Sequence, residues 1–596
     1  MRVGFPTVLI AVVCLMVLHA SCATAQPIEK KLLEYGWDVP TPVYVAENIR
    51  EMEKRPFDGI LMRIPSIGRV FHNQKYDEAT IQNELDACKA IEWGTFTDNF
   101  IIVYAASTMD WFSDEDWDAV LHNVRLNARA ARLARCVGIC FDHEPYGDNP
   151  WMYTSQKHAD SKSFDEYQAI ARKRGAQFMQ AIESEFPSPV IHTFFQLSYF
   201  DALAKELDPQ VRDRKLSQAG YGLLPAFLNG MLDVASPGAI ITDGNESSYY
   251  YTEPLQYFRA FHSMKQTALA LVAPENRVKY RTQIQASQAL YVDYLFKYWP
   301  HATPATHMTE QERAKWFEHN TYWALYTSDR YVWLYSEKMN WWKNENLPPG
   351  LEDAVISARR KIAAREGLGF EMTEIIARAK QREAEHLQAI LGQMTKTVPR
   401  LQAGIRPVID GKPGEDAWLG ETGLDEFAPY AYAREGALTA KTFARVAYDD
   451  ANLYIAVRCE EPRMAERRIV GTNRDDDVWL GDSVDVFLTP EQSRTPFHHI
   501  IINPDNVRWD AIHSPDVALE WHPDYESATS DGPDYWLLEL AIPWTSLGMA
   551  APKSGEKLYA NICRQRSVGD LTEHSSWSRC VRGFVEPDRF GEWVMQ

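Results

Sequence analysis

Residues 137–147 read VGICFDHEPYG. A short apolar run ends in Asp142, His143 and Glu144, and Pro145 stops it. In an extended chain alternate side chains share a face, so Gly138, Cys140, Asp142 and Glu144 line one side and Ile139 and Phe141 the other. Strand rise alone puts the two acidic residues about 6–7 Å apart at Cβ. Mutual repulsion in such a pair raises one pKa and leaves one group protonated near neutrality. A proton donor beside an anion is what cleavage of a glycosidic bond requires. The competing reading is a strand-end pair that caps a loop or a neighbouring helix.

Those carboxyls act together only if the rest of the chain fixes the strand end. Residues 26–395 alternate strand-like runs with helical stretches. The runs include FDGILMRIP (57–65), NFIIVYAAS (99–107), VGICFD (137–142), VIHTFFQLS (190–198), GAIITDG (238–244), VKYRTQI (278–284) and YVWLYSE (331–337), and Tyr35-Gly36-Trp37-Asp38 ends a first strand. Between them lie patterns such as 163–186, where Ser163 and Glu166 have capping-box spacing. Eight strands with intervening helices predict a (β/α)8 TIM-like barrel, with an open doubly wound sheet as the alternative. By this count VGICFD is the fourth strand. Bulky Ile139 and Phe141 then face the surrounding helices, and Asp142 and Glu144 enter the mouth at the C-terminal strand ends, where barrel enzymes keep their chemistry. Glu246, after strand six, and Glu337, ending strand eight, are candidate partners for Glu144, with Asp243 placed to orient Glu246. Trp37, Asp38, His143 and the Trp341-Trp342 pair are candidates for lining a substrate pocket. His72 and His192 stand alone and read as structural.

The bulk properties narrow the substrate. With 596 residues the chain needs two or three domains. A net charge of −20 argues against nucleic acid or an anionic membrane as partner. The 19 Trp and 28 Tyr exceed what cores alone require and suit stacking on sugar rings, pointing to a polysaccharide or oligosaccharide. Residues 1–25 have the pattern of an export signal: Arg2, an apolar Val8–Leu18 stretch and Ala23-Thr24-Ala25, with cleavage predicted after Ala25 and a secreted or periplasmic product. A lipid anchor at Cys22 is the rival. No later segment is long and apolar enough to predict a transmembrane helix. Cys136 and Cys140 are too far apart on one strand to bridge each other, and Cys563 and Cys580 are a possible pair. No H-E-x-x-H, paired C-x-x-C or glycine-rich phosphate loop occurs, so no catalytic metal or nucleotide cofactor is expected.

Past a linker at 396–407 the texture changes to short alternating strands separated by turn residues, which reads as a β-sandwich over 408–596. IDGKPGEDAW (409–418), AYDDANLYIAVRCEEP (447–462), DDDVWLGDSVDVFLTP (475–490), IINPDN (501–506), LLELAIPWTSLGM (537–549), ANICRQR (560–566) and DRFGEW (588–593) occur in order. This set resembles the family 9 carbohydrate-binding modules. The resemblance implies a jelly-roll-like sandwich that binds sugar chains, Trp479 and Trp577 as clamp walls, Arg564 and Gln565 as hydrogen-bonding partners for hydroxyls, and, as in some members of the family, room for a structural calcium ion. Asp449 and Asp450 are oxygen-ligand candidates for that ion, or simply a turn.

The barrel motif resembles two patterns. His143-Glu144-Pro145 resembles the Asn-Glu-Pro that ends strand four in many (β/α)8 glycoside hydrolases, which implies Glu144 as general acid; His143 stands where Asn is expected. That pattern places a nucleophilic Glu at the end of strand seven, and VKYRTQIQAS has none, leaving Asp142, Glu246 or Glu337. Asp142-His143-Glu144 also resembles the D-x-E of chitinase-type family 18 enzymes, although Val137 and Cys140 occupy the earlier Asp positions of the longer pattern. The expectation is therefore an exported glycoside hydrolase with an appended binding module. The alternatives are a barrel that grips a glycan without turnover, a substrate-assisted chitinase-like hydrolase, and a polysaccharide lyase using Arg63 and Arg281.

Overall fold

The computed structural model describes residues 29–299, 304–392, 394–412, 422–432, 437–514 and 517–596. The expected leader 1–25, with Cys22, and residues 413–418 of the first module motif lie outside them. The chain divides into two compact units, Met1–Ala379 and Lys380–Gln596.

In the first unit β1 (Lys31–Gly36), β2 (Gly59–Met62), β3 (Phe100–Tyr104), β4 (Gly138–Asp142), β5 (Val190–His192), β6 (Ile240–Asp243), β7 (Ile284–Ala286), β8 (Gln288–Tyr291) and β9 (Tyr331–Ser336) form one sheet in the order β7-β6-β5-β4-β3-β2-β1-β9-β8. Every neighbouring pair is parallel. β7 and β8 are halves of one strand interrupted at Ser287. The first half bonds β6 and the second bonds β9, so the sheet closes on itself as a (β/α)8 barrel. Its interior is packed: Trp333 stacks on Phe194 at 4.3 Å between ring centroids, and Tyr35 lies 4.7 Å from Phe194. Gly138 is the close-approach point of β4, since a Cβ there would meet the Val190 carbonyl oxygen at 1.8 Å.

Helices α1 (Pro42–Met52), α2 (Gln82–Ala90), α3 (Asp114–Leu133), α4 (Phe164–Glu185), α5 (Pro209–Ser217), α6 (Leu224–Val234), α7 (Pro254–Lys265), α8 (Arg277–Gln283), α9 (Glu310–Thr327) and α10 (Leu351–Ala364) surround the barrel. Their starts are sequence-encoded: Thr41, Ser113, Ser163 and Thr309 cap them, and Ser163–Glu166 and Thr309–Glu312 form capping boxes. α8 corrects the expected seventh strand. VKYRTQ alternates apolar and polar residues at strand period, but Tyr280 and Gln283, three apart, are the residues that turn inward, which is helical spacing. Tyr280 donates to the Met264 carbonyl at 2.9 Å and Gln283 to the Ala239 carbonyl at 3.1 Å. The seventh strand therefore ends at Tyr291. Arg281, offered for a lyase site, lies on α8 and not at a strand's C-terminal end.

The second unit is a β-sandwich. One sheet runs β10 (Thr395–Val398), β23 (Gly591–Met595), β21 (Lys557–Val568), β15 (Ser483–Thr489), β16 (Phe497–Ile502), β17 (Arg508–Ser514) and β18 (Val517–Glu520), with β22 (Leu571–Ser576) and β12 (Ala428–Pro429) attached beyond β21. The other runs β11 (Thr422–Leu424), β13 (Thr442–Tyr448), β14 (Asn452–Glu460), β20 (Tyr535–Pro543) and β19 (Glu526–Asp531). Val484, Val486 and Leu488 pack with Ile455, Val457, Leu538, Trp577 and Trp593 in the core between the sheets. Residues 396–398 of the expected linker belong to β10, which pairs in parallel with β23. Cys563 and Cys580 are free thiols, as are the other cysteines described.

Candidate carbohydrate sites

β4 positions its carboxyls as its alternation requires. Phe141 faces outward, 4.7 Å from Phe178 of α4, and Asp142 faces the interior, fully buried. Asp142 Oδ1 accepts the Glu144 main-chain N–H at 2.8 Å. The Tyr146 hydroxyl lies 3.1 Å from Asp142 Oδ2 and also bonds Glu144 Oε2. One hydroxyl carries one proton, so bonding two carboxyls at once requires one of them to be protonated. Burial, and then the charge of Glu144, push the Asp142 carboxyl well above the ordinary range. The Tyr146 hydroxyl is thus shared between the two carboxyls.

Glu246 enters the same mouth from the end of β6. Asn245 adopts a left-handed conformation, φ +43°, and its side chain donates to Gln288 Oε1 at 2.7 Å, which turns the chain so that Glu246 opens a short 3-10 segment. Burial, and then the charge of Glu144, raise Glu246 to about 7. Burial raises Tyr221, Tyr249 and Tyr335, and the charge of Glu144 adds to each. Among the described residues the mouth is thus an acidic site walled by tyrosines.

A third group closes the ring. Tyr291 donates to Glu337 Oε1 at 3.0 Å, Tyr335 lies 3.4 Å from the same oxygen, and Trp37 Nε1 donates to Tyr335 Oη at 3.0 Å. Asp293, just past β8, accepts the N–H groups of Glu337 and Lys338 at 2.8 Å each. Burial raises its carboxyl to about 6. Sequence reasoning missed Asp293 and Tyr291 because it placed strand seven too early, and Tyr335, inside a correctly placed strand, carried no signal of its own. Tyr146 was visible in HEPYG but carried no spacing signal.

Several expected pocket residues serve the scaffold instead. His143 is fully buried on the outer side of β4, 4.6 Å from the Phe141 ring, and burial lowers it to about 3. Asp243 does not touch Glu246; it accepts the N–H groups of Gln196 and Ser198 at 2.9 and 2.8 Å and fixes the loop after β5. Asp38 accepts the Trp341 N–H at 2.7 Å and its carbonyl takes Trp342 Nε1 at 3.1 Å. Trp341 is buried edge-on against Phe57 at 5.0 Å, so it closes the barrel and offers no stacking face. Trp37 is 65% exposed and remains available.

In the sandwich, strand parity decides the site. Ser483 pairs with Gln565 and Asp485 with Cys563, on the outer face, whereas Val484 pairs with Arg564 on the core side. Arg564 is therefore buried, 3.4 Å from Asp482 and 3.9 Å from Glu461, and is a structural ion-pair member. Trp577 is likewise a core residue beside Trp593 and not a clamp wall. Trp479 is 37% exposed, edge-on to Trp509 at 5.5 Å. Gln565 donates to the carbonyls of Trp479 and Gly481, and its Oε1 lies 3.2 Å from His574. The same face carries a chain in which Asp485 Oδ1 lies 2.9 Å from His499 Nε2, and His499 Nδ1 lies 3.2 Å from His513. Burial, and then His499, hold His513 at about 4, and so neutral. Asp449 uses its carboxylate on the N–H groups of Ala451 and Asn452 and on Tyr454, and Asp450 pairs with Arg400, which is a turn.

Residues 409–596 match the family model described as carbohydrate family 9 binding domain-like. No curated protein matches the chain. Among solved structures, a family 9 carbohydrate-binding module from Caldicellulosiruptor kristjanssonii in complex with cellotriose is 17% identical, covering 34% of this chain and 94% of its own, with a TM-score of 0.25. A broad-specificity endoglucanase of glycoside hydrolase family 5, subfamily 4, from Clostridium cellulovorans is 10% identical over 56% of this chain and 99% of its own, TM-score 0.33. A sugar phosphate isomerase/epimerase from Parabacteroides distasonis is 12% identical over 57% of this chain and 99% of its own, TM-score 0.27.

Proposed function

We propose that the protein is an exported glycoside hydrolase whose barrel cleaves a polysaccharide and whose C-terminal module holds that polysaccharide nearby. The observation that carries the reading is the pairing of Glu246, poised at about 7 by burial, with the charge of Glu144 at the same end of the barrel. Glu246 protonates the glycosidic oxygen as the bond to the anomeric carbon breaks. Glu144, its carboxylate held by the Tyr146 hydroxyl, attacks that carbon or deprotonates the water that does. In this reading the acid role passes from Glu144 to Glu246, because burial rather than strand position decides which carboxyl keeps its proton. The surrounding tyrosines supply apolar faces and hydroxyls suited to sugar rings. Trp479, Trp509 and Gln565 form the binding face of the module, which raises the local concentration of substrate. Residues 1–25 direct export.

Reducing-end release tests this. The full chain and its Glu144→Gln and Glu246→Gln variants are incubated with a panel of neutral and acidic polysaccharides. Activity that falls at least about a hundredfold in each variant supports the pair, the scale expected when a positioned acid or base is removed. Undiminished activity in Glu246→Gln removes that residue as the acid. Silence across the panel with binding retained means the barrel grips glycan without turnover.

A further inference from the structure

The mouth carries carboxyls past β4, β6, β8 and β9, yet the ends of β9, β1 and β2 also carry Lys338, Trp37 and Arg63. Lys338 follows β9, and its ammonium lies 5.3 Å from the Trp37 ring centroid and 4.6 Å from that of Trp299. Arg63 follows β2, and its main-chain N–H is bonded to the Pro40 carbonyl at 3.0 Å, which ties it to the loop that bears Trp37. Both cations are exposed, and neither makes an ion pair among the described residues. That is unexpected in a chain of net charge −20 with Glu337 next to Lys338 in sequence. The indole of Trp37 beside Lys338 is 65% exposed.

We propose that Trp37, Lys338 and Arg63 form a subsite for a sugar residue bearing an anionic substituent, a carboxylate or a sulfate ester, so that the substrate is an acidic polysaccharide. This rests on the reading of the mouth as a glycan site. The sugar ring stacks on Trp37. Its anion is taken by Lys338 on one side and by the planar fork of Arg63 on the other, geometry that suits both kinds of oxyanion. The two cations also offset the repulsion that the carboxyls of the mouth exert on an acidic chain. Lys338 rests between two indoles until an anion arrives, a weak cation–π contact at an exposed site that an ion pair readily replaces.

The test is calorimetric binding of length-matched neutral, uronate-containing and sulfated oligosaccharides to the full-length Glu144→Gln protein. The expected result is at least about tenfold tighter binding of one anionic series than of the neutral one, the scale of a charge-assisted hydrogen bond, with the preferred series naming the anion. Lys338→Gln and Arg63→Gln each remove most of that preference without weakening neutral binding, Lys338→Arg restores it, and added salt diminishes it. Equal affinity for the three series, or a preference that survives both substitutions, overturns the subsite. Turnover of neutral chains with those results leaves the hydrolase reading standing without it. A preference lost in both variants from a protein that hydrolyses nothing supports the subsite and sinks the hydrolase reading.

Discussion

Asp142 Oδ1 accepts the main-chain N–H of Glu144 at 2.8 Å, so the buried residue of the pair fixes the backbone from which the half-buried one projects. The Tyr146 hydroxyl closes the unit by bonding both carboxyls. Asp142 is thus a positioning group, and Glu144 is the member that meets solvent.

Tyr146→Phe removes the bridging hydroxyl and leaves the ring. Both carboxyls lose their bond to that hydroxyl. We expect kcat/KM to fall about tenfold to a hundredfold, the scale of one to two charge-assisted hydrogen bonds. The melting temperature should move little, because Tyr146 is exposed. A normal kcat/KM with intact folding would remove the bridge from the mechanism.

Glu246 gives a pH prediction of definite sign. Its carboxyl is raised from 4.5 to about 7, so an acid role requires the protonated form and the rate declines as pH rises through about 7. Stability follows the same shift. Below 4.5 the folded and unfolded forms are both protonated and the site contributes nothing. Above that value the unfolded chain ionises first, and stability is lost until pH passes about 7. Glu246→Gln should therefore be more stable than wild type at pH 8, by on the order of 3 kcal/mol, and equal to it at pH 4. Denaturant melts at the two pH values check this, and equal stability at pH 8 refutes it.

Much of this arrangement is legible in the sequence, and two of the failures share a cause. The β4 register follows from Ile139 and Phe141 being bulky and Gly138 and Cys140 small. The Ser163–Glu166 box follows from spacing, and the sandwich from its turn residues. Period-two alternation fails in two ways. In VKYRTQ it coincides with a short helix, which displaces strand seven and hides Asp293. In NICRQR it tells that Arg564 and Gln565 face opposite ways, but not which way is inward. A buried Arg564 depends on Asp482 and Glu461 arriving from elsewhere in the chain, and a local reading cannot supply that.

Asp293 should act through the β9 loop. Asp293→Ala leaves the N–H groups of Glu337 and Lys338 without their acceptor. We expect KM for glycan to rise and kcat to change less, because the loop carries binding groups and not the Glu144–Glu246 pair. Asp293→Asn keeps one acceptor oxygen and should fall between. A loss confined to kcat would contradict this placement.

Trp479 and Arg564 separate binding from folding within the module. Trp479→Ala removes an exposed ring and should abolish retention on insoluble polysaccharide while leaving turnover of soluble oligosaccharides and the melting temperature unchanged. Arg564→Ala should instead unfold the sandwich. It leaves Asp482 and Glu461 buried, with Glu461 keeping only Arg566 and Asp482 keeping no cation within ion-pair distance among the described residues. Stranding a buried charge costs about 3–5 kcal/mol. Differential scanning calorimetry of the two variants decides the matter. Arg564 becomes a sugar ligand only if its variant melts like wild type and fails to bind.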